Sequence, residues 1–490
     1  MKKFIGVVVI LAAIFLGSYY GMGIVTERTL KKNLAMVNQS NGLYVDIEQY
    51  NRGWFKSVAL LNWRLHIPAR VEKNTDGQQV SIPEKDYSIQ MPLTIAHGPV
   101  ILANAKVLFG LGYAYTDLSL PQVYAEQFDK QYSDASIKPR LNISVFVNYF
   151  NNCRLHINAP AFNLVDKQGK SQFQWLGLDS DVSISSKMTH VDGSVTIDGM
   201  SLVKDNMKAV MGKTVSDYDL NRTENGLYLG DANLSFPSLV VTRDDQKVFE
   251  IEQLDVHSSS NVRKGLFSSD FKSELDKMFA GGKVYGPGAL EVSINKLDAQ
   301  VLAQINEQIT MIQQGSDRDR QQALLSLLPE LPKLVSKGAE FEISKFSLVM
   351  PDGVINGDLQ ISLPSDNTAN PFQLIQKIQG QGNVRVAAAV LKTLVKDSVK
   401  QKMLSLPAAT TVVQNNVPAT AGTVVIQTQT PVNPQDMEQQ AATQADEKIS
   451  SLVKAGLLSV QGTDYVLKLK LAQGQLSVND RPFNPAMMQF

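Results

Sequence analysis

The hydrophobic positions along the chain change their spacing several times, and each change predicts an element. From Phe4 to Val25 the sequence FIGVVVILAAIFLGSYYGMGIV carries no charge. As a helix, these residues are long enough for a bilayer core of about 30 Å. They predict an N-terminal transmembrane helix retained as a signal anchor over residues 1–25. A cleaved signal is the competing reading, since Lys2 and Lys3 resemble a basic n-region and a small-x-small site falls at Gly21 and Gly23. Leu30, Leu34 and Val37 then continue at helical spacing, with Thr26 or Thr29 as a cap.

Beyond that helix the period becomes two. Leu43, Val45 and Ile47 predict one strand, and Ala59, Leu61, Trp63, Leu65 and Ile67 a second, with Asn51, Arg52 and Gly53 as the turn between them. The same alternation returns at Leu141, Ile143, Val145, Val147 and Tyr149, at Val182 and Ile184, at Val195 and Ile197, at Phe249 and Ile251, and at Leu254 and Val256. Turn residues such as VDGS, ENGL and RDDQ separate these runs and predict hairpins. Helical spacing interrupts the pattern at Leu302, Ile305, Ile309 and Ile312, breaks at GSDRDR and ends near Pro329 and Pro332. Strands resume around Phe341 to Leu363, and helices are predicted at 371–378 and 387–403. The last alternation runs through Tyr465, Leu467, Leu469 and Leu471, with Leu476 and Val478 returning.

The predicted fold is α+β and mainly antiparallel β: an N-terminal transmembrane helix, then an elongated β-rich periplasmic body with helical insertions. Its divisions are the anchor over 1–25, a β-rich region over 26–300, a helical insertion over 301–338, a β-hairpin and helices over 339–406, a low-complexity linker over 407–435, and a C-terminal helix and β-hairpin over 436–490. The Thr-, Val-, Gln- and Pro-rich composition before Asp436 marks the linker.

Charge and chemistry narrow the function. Lysine plus arginine and aspartate plus glutamate balance at 47 each, so no overall field attracts nucleic acid. Cys153 is the single cysteine and forms no intrachain disulfide. There is no G-x-S-x-G elbow, H-E-x-x-H helix, P-loop or G-x-G-x-x-G turn. The five histidines, His66, His97, His156, His190 and His257, are dispersed, with His66 and His156 on the polar phase of strands. Asp179 and Asp181 share one strand face and reach a common cation in one reading, as do Asp244 and Asp245 in a turn. Carboxylate pairs of this kind are common, so the sequence predicts no catalytic residue, cofactor or metal and a protein that is not an enzyme.

The residues YNRGWFKS near Trp54, the pair FSLVMPDGVINGDL and the closing YVLKLKLAQGQLSVNDRPFNP resemble the YdgA and YihF family of enterobacterial envelope proteins, over nearly the whole chain. The element Arg52 to Ser57 is the most specific part. The resemblance implies an inner-membrane protein with a single N-terminal span, a periplasmic body and no established molecular function, and it brings no catalytic residues.

The expected partners are therefore a membrane and a lipid or envelope protein. One functional reading is an apolar ligand or lipid bound on a β-groove. Its walls would be the apolar phase of Leu141, Ile143, Val145 and Val147, with the Asn and Ser phases outside. The alternative is a protein-interaction scaffold in envelope assembly or maintenance. Trp54 and Phe55, being adjacent, face opposite sides of an extended strand, so only one enters a given core. The other is the candidate for a ligand or partner surface, for packing at a strand turn, or for resting on a bilayer. Trp63 is on the apolar phase and predicts core.

Overall fold

The computed structural model describes residues 2–37, 43–67, 70–73, 79–103, 106–314, 327, 329–365, 376–405 and 434–483. The chain divides into two compact units. Unit 1 comprises Met1–Gly282, Ile294–Ala339 and Ser365–Ala369; unit 2 comprises Lys283–Ser293, Glu340–Pro364 and Asn370–Phe490.

Unit 1 begins with one helix, α1 (Lys2–Val37). Its principal strands are β1 (Leu43–Arg52), β2 (Lys56–Ile67), β3 (Lys85–His97), β4 (Gly112–Ser119), β5 (Arg140–Val147), β6 (Cys153–Ala159), β7 (Ser171–Ile184), β8 (His190–Lys204), β9 (Thr214–Arg222), β10 (Tyr228–Arg243), β11 (Gln246–Arg263) and β12 (Leu266–Ala280). Each pairs antiparallel with the next, so these strands form one continuous meander. β11 has 18 residues, about 60 Å at the usual strand rise. A short helix, α2 (Gln122–Gln131), lies between β4 and β5. A third, α3 (Ala299–Gln314), begins where Asp298 Oδ1 accepts hydrogen bonds from the amides of Gln300 and Val301. With α4 (Glu330–Val335) it stands in the predicted helical insertion; the GSDRDR break lies outside the described residues.

The alternation of β2 appears directly as burial. Ser57, Ala59 and Leu61 are at most 1% exposed, while Val58 between them is 51% exposed. Ala59 and Leu61 join Val45, Met91, Leu93 and Ile95 in the principal core of unit 1, and Leu30 and Leu34 of α1 pack against that cluster.

α1 corrects the expected transmembrane helix. It runs unbroken past position 25 and takes in Glu27, Arg28, Lys31 and Lys32. The second half of its apolar run is also committed to protein contacts. The Tyr19 hydroxyl donates to Val100 O at 2.8 Å, and Thr26 Oγ1 donates to Leu111 O at 3.0 Å. Among the described residues no helix is long and apolar enough to cross a membrane. Part of the apolar run that reads as a span serves, at Tyr19, Gly23 and Thr26, to dock the helix on the sheet.

In unit 2, strands Glu340–Met350, Gly353–Ser362, Gln379–Ala387, Asp464–Ala472 and Gln475–Val478 pair antiparallel in that order. Helices α5 (Ala388–Ser405) and α6 (Pro434–Lys454) pack together through buried Val399, Ala441 and Ala445. Their outer edges are joined by Lys392–Asp446 at 2.8 Å, Lys396–Glu438 at 2.6 Å and Lys400–Glu438 at 2.8 Å. Hydrogen bonds from Lys396 and Lys400 lower the Glu438 carboxyl to about 2. Of the predicted linker, residues 407–433 lie outside the described residues, as does most of the helix predicted at 371–378.

Candidate ligand cavity

Strands β2 to β6 turn their apolar phases toward α1 and leave a cavity of about 1060 Å³ between sheet and helix. The i, i+2 spacing of each strand supplies one row of wall. Trp63 comes from β2, Ile89 and Met91 from β3, Ala114 and Leu118 from β4, Ile143 and Val145 from β5, and Leu155 and Ile157 from β6. Thr26, Thr29, Leu30 and Leu34 of α1 form the opposite side, one helical turn apart. The register makes the floor continuous, because Val145 lies opposite both Ala114 and Leu155, and Ile143 opposite both Thr116 and Ile157.

Among the described residues, no aspartate, glutamate, lysine, arginine or histidine lines this space. The nearby charges are held outside it. Glu27 binds Lys31 at 2.7 Å and is also bonded by Arg52, which ties α1 to the end of β1. Hydrogen bonds from Lys31 and Arg52 keep the Glu27 carboxyl below its ordinary range. The mainly apolar walls can therefore remove apolar surface from water, and their polar groups are the hydroxyls of residues such as Thr26, Ser88, Thr116 and Tyr124.

Val145, a candidate from the sequence, lines the cavity with Leu141, Ile143 and Val147. Trp63 lines it as well and packs against the core cluster. Trp54 and Phe55 lie elsewhere, and neither enters a core: they are 57% and 51% exposed. The amide of Gly53 bonds to Lys56 O at 3.0 Å, which closes a tight turn. The two rings are thus freed from strand alternation. Both lie against α1, Phe55 with its centroid 4.8 Å from that of Tyr19 and Trp54 5.5 Å from Tyr20.

Two further clusters stand away from the cavity. His97, 1% exposed, meets Ser57 Oγ through Nε2 at 2.9 Å beneath Gly23 of α1. Burial holds its imidazole below the usual histidine range. Neither residue lines the cavity. Period-two counting along Met91, Leu93, Ile95 and His97 already puts this histidine on the buried phase. On the outer sheet face, His156, Asp179 and Asp181 bring ligand atoms within 4.8 Å of one another. The donor set suits zinc in type, but all three side chains are 40–57% exposed and each ring nitrogen already faces one carboxylate. The aspartate pair is legible in sequence; the histidine joins it through the pairing of His156 with Asp181. Asp244 and Asp245 occupy a hairpin turn, where Asn206 Nδ2 donates to Asp244 Oδ1 at 2.8 Å. Burial pushes the Cys153 thiol up, which disfavours its thiolate.

Residues 1–486 match a family described as bacterial protein of unknown function (DUF945). No curated protein matches the chain.

Proposed function

For a chain that belongs to this bacterial family of unknown function (DUF945), we propose binding of an apolar or acyl-chain ligand between α1 and strands β2 to β6, without catalysis. The observation that supports this is the cavity of about 1060 Å³ whose wall, among the described residues, holds no Asp, Glu, Lys, Arg or His. Ligand pockets are commonly about 300–1,000 Å³ and mainly apolar. Burying an acyl chain there gains about 0.8 kcal/mol per CH₂, with no reacting group needed. The narrower kinship with the YdgA and YihF proteins, resting on Arg52 to Ser57, belongs to the same proposal.

The test is titration of the full chain with a fluorescent fatty-acyl ligand. The wild type should bind saturably. Val145→Asp places a carboxylate in the wall and should weaken binding at least about tenfold, the effect of roughly 1.4 kcal/mol or more, while an unchanged far-ultraviolet dichroism shows that the sheet survives. Equal binding by both proteins, or none by either, contradicts the reading and leaves the scaffold alternative.

A further inference from the structure

Three connections among the first six strands leave unit 1 at the same end. Lys56 pairs with Ala96, His97 with Gly112, Gly112 with Val147, and Val147 with Cys153. The β1–β2, β3–β4 and β5–β6 connections therefore project from one transverse line. They are also tied together beyond the sheet. The Tyr19 ring lies on Phe55, the Tyr19 hydroxyl donates to Val100 O, and the Tyr149 hydroxyl donates to Pro99 O.

The tips of these connections are apolar and uncovered. Phe150 is 81% exposed, Leu102 69%, Phe109 63%, and Trp54 and Val107 57% each. These are five of the seven described large hydrophobics exposed to that degree, the others being Leu404 and Val460. Such concentration marks an interaction site rather than ordinary surface scatter. The charge pattern says which kind. Residues 53–56, 98–111 and 148–152 contain Lys56 and Lys106 and no carboxylate, with Arg52 adjoining. Protruding aliphatic and aromatic tips, flanking Trp and Tyr rings, and a few cations are the chemistry of the bilayer interface, where apolar tips enter the acyl region and cations meet phosphates.

The patch is continuous with the cavity. Leu111, Gly112 and Val147 line the cavity and lie two or three residues in sequence from Phe109 and Tyr149 at the tips. We infer that this end of unit 1 seats on the surface of a lipid bilayer through Leu102, Phe109 and Phe150, and that the cavity takes its ligand from that bilayer. The second half rests on the cavity reading above; the seating does not. Seating by these tips requires no spanning helix.

The experiment is vesicle flotation of the full chain with phosphatidylcholine vesicles, alone and mixed with phosphatidylglycerol. The wild type should float with both, more strongly with the anionic mixture. The combined variant L102D/F109D/F150D should lose about tenfold or more in partitioning, since binding scales with inserted apolar area. It should keep its melting temperature and its binding of the soluble acyl ligand, because none of the three residues lines the cavity. If the triple variant does not fold, Phe150→Asp alone, at the most exposed tip, should reduce flotation in the same direction. Flotation of a folded variant at wild-type strength overturns the inference, as does a wild type that stays with the soluble fraction. A wild-type dimer that becomes monomeric in the variant, with no flotation by either, assigns the patch to a second copy and also overturns it. Loss of acyl-ligand binding by a wild type that still floats would instead remove the cavity reading alone.

Discussion

His97 and Gly23 form a close seat between α1 and the sheet. A Cβ at Gly23 would stand 2.7 Å from Cε1 of the buried imidazole. Gly23→Ala should therefore lift the helix or displace the ring, at a cost of about 1–3 kcal/mol; unchanged thermal unfolding of this variant would show that the helix is not seated there. The same contact makes stability depend on acid. Burial depresses the folded-state value of His97 below its ordinary 6.5. Between the two values the unfolded chain binds the proton and the folded chain does not, so stability is lost as pH falls below about 6.5 and is flat, for this group, above it. Melting temperature measured from neutral pH down to about pH 5 should fall, and fall less in His97→Asn. An identical slope in the two proteins would remove His97 as the cause.

At the scale of elements, the strands were readable because one apolar face imposes period two. The hairpin at Asn51 to Gly53, the wall phase Leu141 to Val147 and the helix predicted at 387–403 all stand close to where spacing puts them. The apolar run of α1 was readable only as apolar: hydropathy does not say whether the surface it meets is lipid or β-sheet, and here Tyr19, Gly23 and Thr26 meet β-strand ends. For Trp54 and Phe55, expected at a strand turn, on a partner surface or on a bilayer, spacing could not say which ring faces where. Alternation holds only in extended chain, and the Gly53–Lys56 bond turns the backbone at that point. The cavity itself is a property of the gap between two elements. Leu30 and Leu34 pack on one part of the sheet and leave another part uncovered, which no residue spacing encodes.

At the scale of the whole molecule, the meander of unit 1 is chemically two-sided. Along β6 and β7 the phase of Leu155, Ile157 and Val182 faces inward, and the phase of His156, Asp179 and Asp181 faces out. A sheet with one apolar side must cover it, and the first strands cover theirs incompletely with α1. The central claim is that this incompletely filled space holds an acyl chain. Photo-crosslinking tests it most directly: the full chain is irradiated with a diazirine-bearing fatty acid and the labelled peptides are mapped by mass spectrometry. The account predicts label on the cavity walls, at peptides containing Leu30, Trp63, Ile89 and Val145, abolished by excess unlabelled fatty acid. Label confined to other surfaces, or insensitive to that competition, would contradict it.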